Sequence, residues 1–468
     1  MYVVPGADGN WHGEPELQVD WSTPQQTSMV IVDRSIIVYG QTVIARLTAM
    51  EGPRRNATHF GRDTAGSLRL VDLEVGAVGG LSLADRAAVG VLARTFPVEL
   101  VDRVIDQFWR REQRVRELPA RLVFYLVLAL CLFPQESYRS TMKILMQSFG
   151  RGESGRPVPT AGAIGTARRR LGADPVETIV RQVIRPVASP DTQGAWYRDW
   201  RLVAFDGTTF TVPDTEDNDE EFGRPGSGRG DGKGAYPQMQ AACLVELGTH
   251  AVFDARVEPY RVSENKLIEE MLSALRPGML VLADRGVYSF QRWIRAVDTG
   301  ADLLWRVTSN LILRPVENLA DGSYLAEVIP PKNAGVASFR LRVIEYRLPN
   351  VKDGKDELYR LVTTILDPAR APAKDLAVLY HERWDIEGYF KQIKSVQLNA
   401  DKILRSKSPD GVRQEFWAHL AVHYATMQIV VDAAHLARLD PDRISHKNTV
   451  RIIRSRIWIP DSFPPHQP

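Results

Sequence analysis

Two aspartates and one glutamate stand where their settings could do chemistry. Asp206 follows the apolar run Leu202-Val-Ala-Phe205 and precedes Gly207-Thr-Thr209. Asp284 follows Leu280-Val-Leu-Ala283 and precedes Arg285-Gly286. Each run reads as a buried strand, so each aspartate falls at a strand's C-terminal end, where the ligands of α/β sheets bind in a crevice. A charge that follows an apolar run must find a partner to be buried. Taken singly, an aspartate after a strand is also an ordinary turn starter. The glutamate, Glu387, lies in a helical stretch with Tyr380, Arg383 and Lys394, at offsets 0, 3, 7 and 14 from Tyr380. At 3.6 residues per turn the four fall within an arc of about 60°. A solvated face with i,i+4 ion pairs such as Arg383–Glu387 accounts for the charges. It does not account for the phenol in the same row. The mixture suits a metal-binding acid flanked by groups that grip phosphate.

Other signals are weaker. Phe222–Pro237 holds six glycines, but Ser227 stands where a P-loop needs its first glycine and neither Ser nor Thr follows Lys233, so a flexible loop is expected. Arg224, Arg229 and Lys233 could touch a nucleic-acid backbone there. Tyr138–Gly172 carries Arg139, Lys143, Arg151, Arg156, Arg168, Arg169 and Arg170 against Glu153 alone. Such a helical stripe neutralises phosphates, or is simply a solvated face. His419 and His423 are four apart, but Leu420 stands where a zinc protease has its glutamate, so packing is expected. Trp293, Trp305 and Trp384 could stack a flipped base, although core packing suits each better.

These residues need elements to hold them. Residues 1–80 are mixed in character, with one expected strand over 30–38 that lacks a nearby partner; a poorly ordered extension is expected, with Met29 and Met50 as alternative starts. Helical periodicity opens at Ser82-Leu-Ala-Asp85 and runs through 97–116, 118–133, 137–149 and 160–171, with a turn over 150–159. From Trp196 the pattern changes to a strand over 201–212, a hairpin over 240–257, a helix over 264–275, a strand over 279–283, a helix over 290–299 and a strand over 303–307. That order predicts a mixed α/β sheet. Helices vanish between 310 and 367, where strands are expected over 312–314, 324–329, 338–346 and 359–366. A long helix over 373–395 follows, then a helix over 412–436 and a basic, irregular tail over 446–459.

Composition bounds the rest. Lys+Arg 59 against Asp+Glu 57 gives +2, so a basic surface must be sought locally. Two cysteines, Cys131 and Cys243, exclude a disulfide framework and a cysteine-rich zinc site. The longest apolar run, Leu122–Phe133, is 12 residues, short of the roughly 20 that span a bilayer. No signal-peptide pattern opens the chain. A cytoplasmic protein without a membrane role is expected.

The elements Asp206-Gly-Thr, Asp284-Arg-Gly and Tyr-x2-Arg-x3-Glu-x6-Lys, the last complete at Tyr380, Arg383, Glu387 and Lys394, resemble those of bacterial DDE transposases of the insertion sequence four type. Further similarity runs through Val212–Thr215, Phe222-Gly223, Tyr236–Gln238 and Leu404–Asp410, and the helix over 121–133 resembles the family's N-terminal domain. The resemblance covers roughly 85–440. The acidic stretch Asp214–Glu221 departs from it and is expected in a solvated loop.

The resemblance implies an α/β, ribonuclease-H-like mixed sheet with a β-rich insertion, preceded by an all-α domain. The organisation expected is a poorly ordered extension over 1–80, a helical DNA-binding domain over 81–190, and a catalytic domain over 195–309 and 368–410. The insertion occupies 310–367 and a helical region 411–468. Asp206 to Asp284 spans 78 residues and Asp284 to Glu387 spans 103, and the second gap has room for the insertion. It also implies a DNA transposase that cuts and joins phosphodiesters with two Mg²⁺ ions, Mn²⁺ able to substitute. Asp206 would bridge the ions, with Asp284 on one and Glu387 on the other. Tyr380, Arg383 and Lys394 would hold phosphates, and Arg168, Arg169 and Arg170 would contact DNA. Partners would be the element's inverted-repeat ends, target DNA and a second copy in a synaptic homodimer. A non-catalytic DNA-binding remnant and a general nuclease of the same fold are the alternatives.

Overall fold

The computed structural model describes residues 28–32, 35–39, 90–114, 116–148, 157–226, 236–330, 335, 337–349, 356–382 and 403–456. The chain divides into Met1–Arg86 and Ala87–Pro468. In the first unit the single strand expected over 30–38 is two, β1 (Ser28–Val32) and β2 (Ser35–Tyr39), paired antiparallel. In the sequence the polar pair Asp33-Arg34 separates the two apolar runs. The helix start expected at Ser82 lies outside the described residues.

The second unit opens with α1 (Gly90–Thr95), α2 (Val98–Gln107), α3 (Ala120–Leu132), α4 (Tyr138–Ser148), α5 (Ala161–Leu171) and α6 (Asp174–Val183). The helix expected over 97–116 stops at Gln107, because Trp109 turns left-handed at φ 55° and Arg111 folds back onto Asp106. Every residue of α3 except Arg121 is buried. A helix apolar all round must be enclosed, and α2, α4, α5 and the C-terminal α11 (Pro409–Ala437) enclose it. Ser408 caps α11 by accepting from the Gly411 N–H, and Pro409 takes the first turn, where no donor is lost.

The sheet combines β3 (Trp196–Tyr197), β4 (Trp200–Thr211), β5 (Gln238–Glu246), β6 (Val252–Pro259), β7 (Met279–Ala283) and β8 (Asp302–Arg306) with β9 (Arg314–Asn318), β10 (Tyr324–Val328), β11 (Phe339–Pro349) and β12 (Asp356–Thr363). Its order is β6-β5-β4-β7-β8-β12-β11-β10-β9, with β3 beside β4. β4, β7 and β8 are parallel neighbours. Between them come the crossover helices α8 (Glu264–Met271) and α9 (Phe290–Val297). One face packs Val203, Phe205, Val281 and Ala283 under Leu267, Ile268 and Trp293. Trp293 and Trp305 are buried there, as packing requires. The insertion's strands extend this sheet antiparallel from β8, with β9 and β12 each shifted by a few residues from expectation.

The tail expected to be irregular is α12 (His446–Arg456). His446 is buried beside His423 of α11, ring centroids 5.2 Å apart. His423 Nε2 lies 3.0 Å from the His250 carbonyl, and His250 Nε2 meets Asp442 Oδ1 at 2.6 Å. Neither ring nitrogen of His446 has a partner among the described residues. Burial, then the charges of His250 and Arg454, lower its pKa from 6.5 to about 4. The unfolded chain therefore takes the proton first, so stability should fall as pH drops from about 6.5 to about 4, by on the order of 3 kcal/mol. Thermal melts over that range should show the loss, and His446→Gln should flatten it. A profile unchanged by the substitution would refute the assignment. Glu415 acts lower down: its pKa is held at about 2, because hydrogen bonds and charge from His419, Arg168 and Ser406 outweigh the opposing effect of burial. Its share of stability is lost between about 4.5 and about 2.

Candidate active site

Asp206 does not end its strand. β4 runs on to Thr211 because β5 pairs with it from Val203 to Thr211. The parallel partner is shorter: β7 pairs with β4 from Arg201↔Met279 to Ala204↔Leu282. Two residues beyond that last pair stand Asp206 and Asp284. Carrying the register forward sets them side by side on strands about 4.8 Å apart. Asp206 thus lies just past the point where its parallel neighbour ends, the position at which ligands of such sheets bind. Both are half-buried. Asp206 Oδ1 accepts from the Gly207 N–H at 3.0 Å, and the Val287 N–H closes a turn on the Asp284 carbonyl at 3.0 Å.

The third described member comes from α10 (Ala373–Glu382). Tyr380 is 0% exposed, and its hydroxyl donates to Asp284 Oδ1 at 3.4 Å. The phenol faces a carboxylate among the described residues, and its phosphate grip stays an expectation. Arg383, Glu387 and Lys394 lie outside the described residues, as does Trp384. The first turn of α10 is fixed by the insertion: Asp321 Oδ2 accepts from the Ala373 N–H at 2.8 Å and pairs with Arg342. Arg342 is fully buried and also donates to Ser323 Oγ and the Ala371 carbonyl. At the other end of α10, Tyr346 O–H and His381 Nε2 lie 3.0 Å apart.

Sequence reasoning missed Glu264. It opens α8, where an acid in the first turn is ordinary dipole chemistry. Its carboxyl lies against Gly207: a Cβ at that position would collide with Glu264 Cδ and Oε1. Burial, then the charge of Asp284, raise its pKa. Among the described residues no three His, Cys, Asp or Glu side chains form a set that could hold an ion by themselves. Asp206 and Asp284 offer the hard carboxylate oxygens that Mg²⁺-like ions take, and such ions need few protein ligands. The donor chemistry fits.

The basic stripe separates into unlike members. Arg168 is 8% exposed and ties α5 to the C-terminal helix, donating to Gln414 Oε1 at 2.8 Å, Tyr138 O–H at 2.6 Å and Ser406 Oγ at 3.0 Å. A guanidinium so occupied cannot reach a phosphate, which corrects the DNA contact expected of it. Arg170 donates to Glu112 Oε1 at 3.1 Å and to the Leu118 carbonyl. Arg169 remains exposed, touching only Thr166 of its own helix among the described residues. The acidic stretch 214–221 is largely helix, α7 (Glu216–Phe222), not a loop. Thr215 caps it, acids favour its N-terminal turn, and Arg224 and Arg413 neutralise Asp214, Asp219 and Glu221. Most of the glycine loop (227–235) lies outside the described residues. His419 and His423 are buried packing residues, and no described helix is long and apolar enough to cross a membrane.

Two family models match the chain in tandem. One, described as insertion element 4 transposase N-terminal, matches residues 86–181; the other, described as transposase DDE domain, matches 198–424. The chain belongs to the DDE transposases of the insertion element 4 type. It is 26% identical over 366 residues to the transposase InsG for insertion sequence element IS4 of Escherichia coli (strain K12), covering 76% of this chain and 80% of that protein. A cryo-EM structure of a piggyBac transposase synaptic complex with hairpin DNA superposes at a TM-score of 0.42 and 11% identity, covering 81% of this chain and 85% of that chain. The mixed sheet of this transposase is the ribonuclease-H-like sheet of its family. The protein is a DNA transposase that depends on divalent metal. The match across both regions leaves a DNA-binding remnant or a general nuclease unfavoured.

Proposed function

We propose that this transposase cuts its element at the inverted-repeat ends and joins the freed 3′-ends to target DNA, with Asp206, Asp284 and Glu387 holding two Mg²⁺ ions. The observation that supports the reading is the β4–β7 register, whose last pair, Ala204↔Leu282, comes two residues before each aspartate, with the Tyr380 hydroxyl donating to Asp284. Divalent ions, when bound, ease deprotonation of the attacking group and offset charge on the leaving oxygen. Cleavage forms a bond from a water oxygen to phosphorus and breaks the bond to the 3′-oxygen. Joining repeats the exchange with that 3′-hydroxyl as the attacker. In this reading Asp206, Asp284 and Glu387 would hold the ions through their carboxylate oxygens. Tyr380 orients the Asp284 carboxylate by donating to its Oδ1. Arg383, Lys394 and the exposed Arg169 grip backbone phosphates. A second copy holds the other end in a synaptic pair.

Full-length protein with Mg²⁺, or Mn²⁺ in its place, and duplexes bearing the element's ends should release 3′-hydroxyl termini. Glu387→Gln should abolish that release, and its retention at full rate would remove Glu387 from the set. Lys394→Ala should flatten the salt dependence of end binding by about one unit of log–log slope, as loss of one phosphate contact requires.

A further inference from the structure

We infer that Glu264 is a fourth carboxylate of the metal site, placed at the opening of α8 to face the ions' position or the water around them. The inference rests on the metal reading above and adds a residue that no motif in the chain marks. Three observations carry it. The first is Gly207, which directly follows Asp206. The Glu264 carboxyl occupies the space a side chain at 207 would fill. Any larger residue at 207 would push the acid away, so the glycine gives it a seat one residue from Asp206.

The second observation is the acid's company. Glu264 is half-buried, it feels the charge of Asp284, and it forms no hydrogen bond or ion pair with a described cation. Elsewhere the fold supplies partners to its buried acids: Glu246 has Arg201, Thr249 and two backbone N–H groups, and Glu415 has Ser406 and two backbone N–H groups. Like charges brought together in a low-dielectric crevice repel unless a cation joins them. The third is position. α8 crosses from β6 to β7, and Leu267, Ile268 and Met271 lock its inner face into the sheet's core. Glu264, one turn earlier, is carried by a rigid element rather than a loop. The described carboxylates do not close around an ion by themselves. Mg²⁺ keeps several of its waters, so an acid accepting hydrogen bonds from them contributes without direct ligation.

The test is Mn²⁺ binding to the full-length protein, followed by electron paramagnetic resonance, with melting temperatures recorded in chelator and in saturating Mn²⁺. Glu264→Gln should weaken Mn²⁺ binding about tenfold or more, the scale of losses at groups that support metal ligands. It should melt no lower than the parent in chelator, since a repelling charge is gone. The rise in melting temperature on adding metal should shrink. Glu264→Asp, which keeps the charge but withdraws it, should fall between. Parental Mn²⁺ affinity in Glu264→Gln would overturn the inference. So would melting below the parent in chelator or failure to fold, because the acid would then serve the fold. Asp206→Asn, run in parallel, separates the two claims. If it too leaves Mn²⁺ binding untouched, the metal reading itself fails; if it alone weakens binding, only the role of Glu264 does.

Discussion

Asp206→Asn should lower Mg²⁺-dependent strand cleavage by at least about a thousand-fold, roughly 4 kcal/mol of transition-state stabilisation. The substitution is nearly isosteric. Its amide oxygen can still accept from the Gly207 N–H at the 3.0 Å seen for the carboxylate, so β4 and its pairing with β5 should survive. What is lost is one negative charge facing Asp284, and with it the affinity for a divalent ion. Binding of end DNA should stay within a few-fold of the parent or tighten, because removing an acid beside a polyanion reduces repulsion. Single-turnover cleavage and gel-shift titration on the same preparation separate the two effects. Cleavage within tenfold of the parent would show that Asp206 is not a ligand. Loss of binding together with cleavage would point to a structural role instead.

The second large effect concerns Arg168, and it is an effect on stability. Arg168→Ala should destabilise the protein by about 3 kcal/mol or more, the scale for removing one partner from a buried charged network. The side chain joins α5 to α11 through Gln414 and to Ser406 ahead of it, and its charge helps hold Glu415 ionised. Its loss leaves buried acceptors without a donor. Urea denaturation should show the lower midpoint, while the salt slope of DNA binding by the folded protein stays at the parental value. Arg169→Ala should do the reverse: stability within about 0.5 kcal/mol and a salt slope smaller by about one. A stable Arg168→Ala with a reduced slope would restore Arg168 as a DNA contact.

That contrast shows where the sequence was legible. Three consecutive arginines on a helix fan out by about 100° each, so they cannot share one environment. Which of them turns inward depends on Gln414 and Ser406, more than two hundred residues away. The strands leading to Asp206 and Asp284 were legible because each is an apolar run, and only at Asp284 does the strand end where the run does. The length of β4 was not, because its two neighbours end at different points and pairing partners leave no local signature. The insertion's strands could be read from alternation, but their continuation of the same sheet rests on the register of β12 against β8. Glu264 had no signal of its own, since its company at Gly207 and Asp284 is assembled only by the crossover of α8.

The insertion's hold on α10 sets an angle as well as a place. Turning a helix by one residue swings each side chain through about 100°, enough to carry the Tyr380 hydroxyl away from Asp284. Through Asp321 and Arg342, the β-rich segment works as an index pin for the rotation of that helix. Because Asp321 sits in the turn between β9 and β10, the outermost strands of the sheet carry the pin and cannot be trimmed away without freeing the helix.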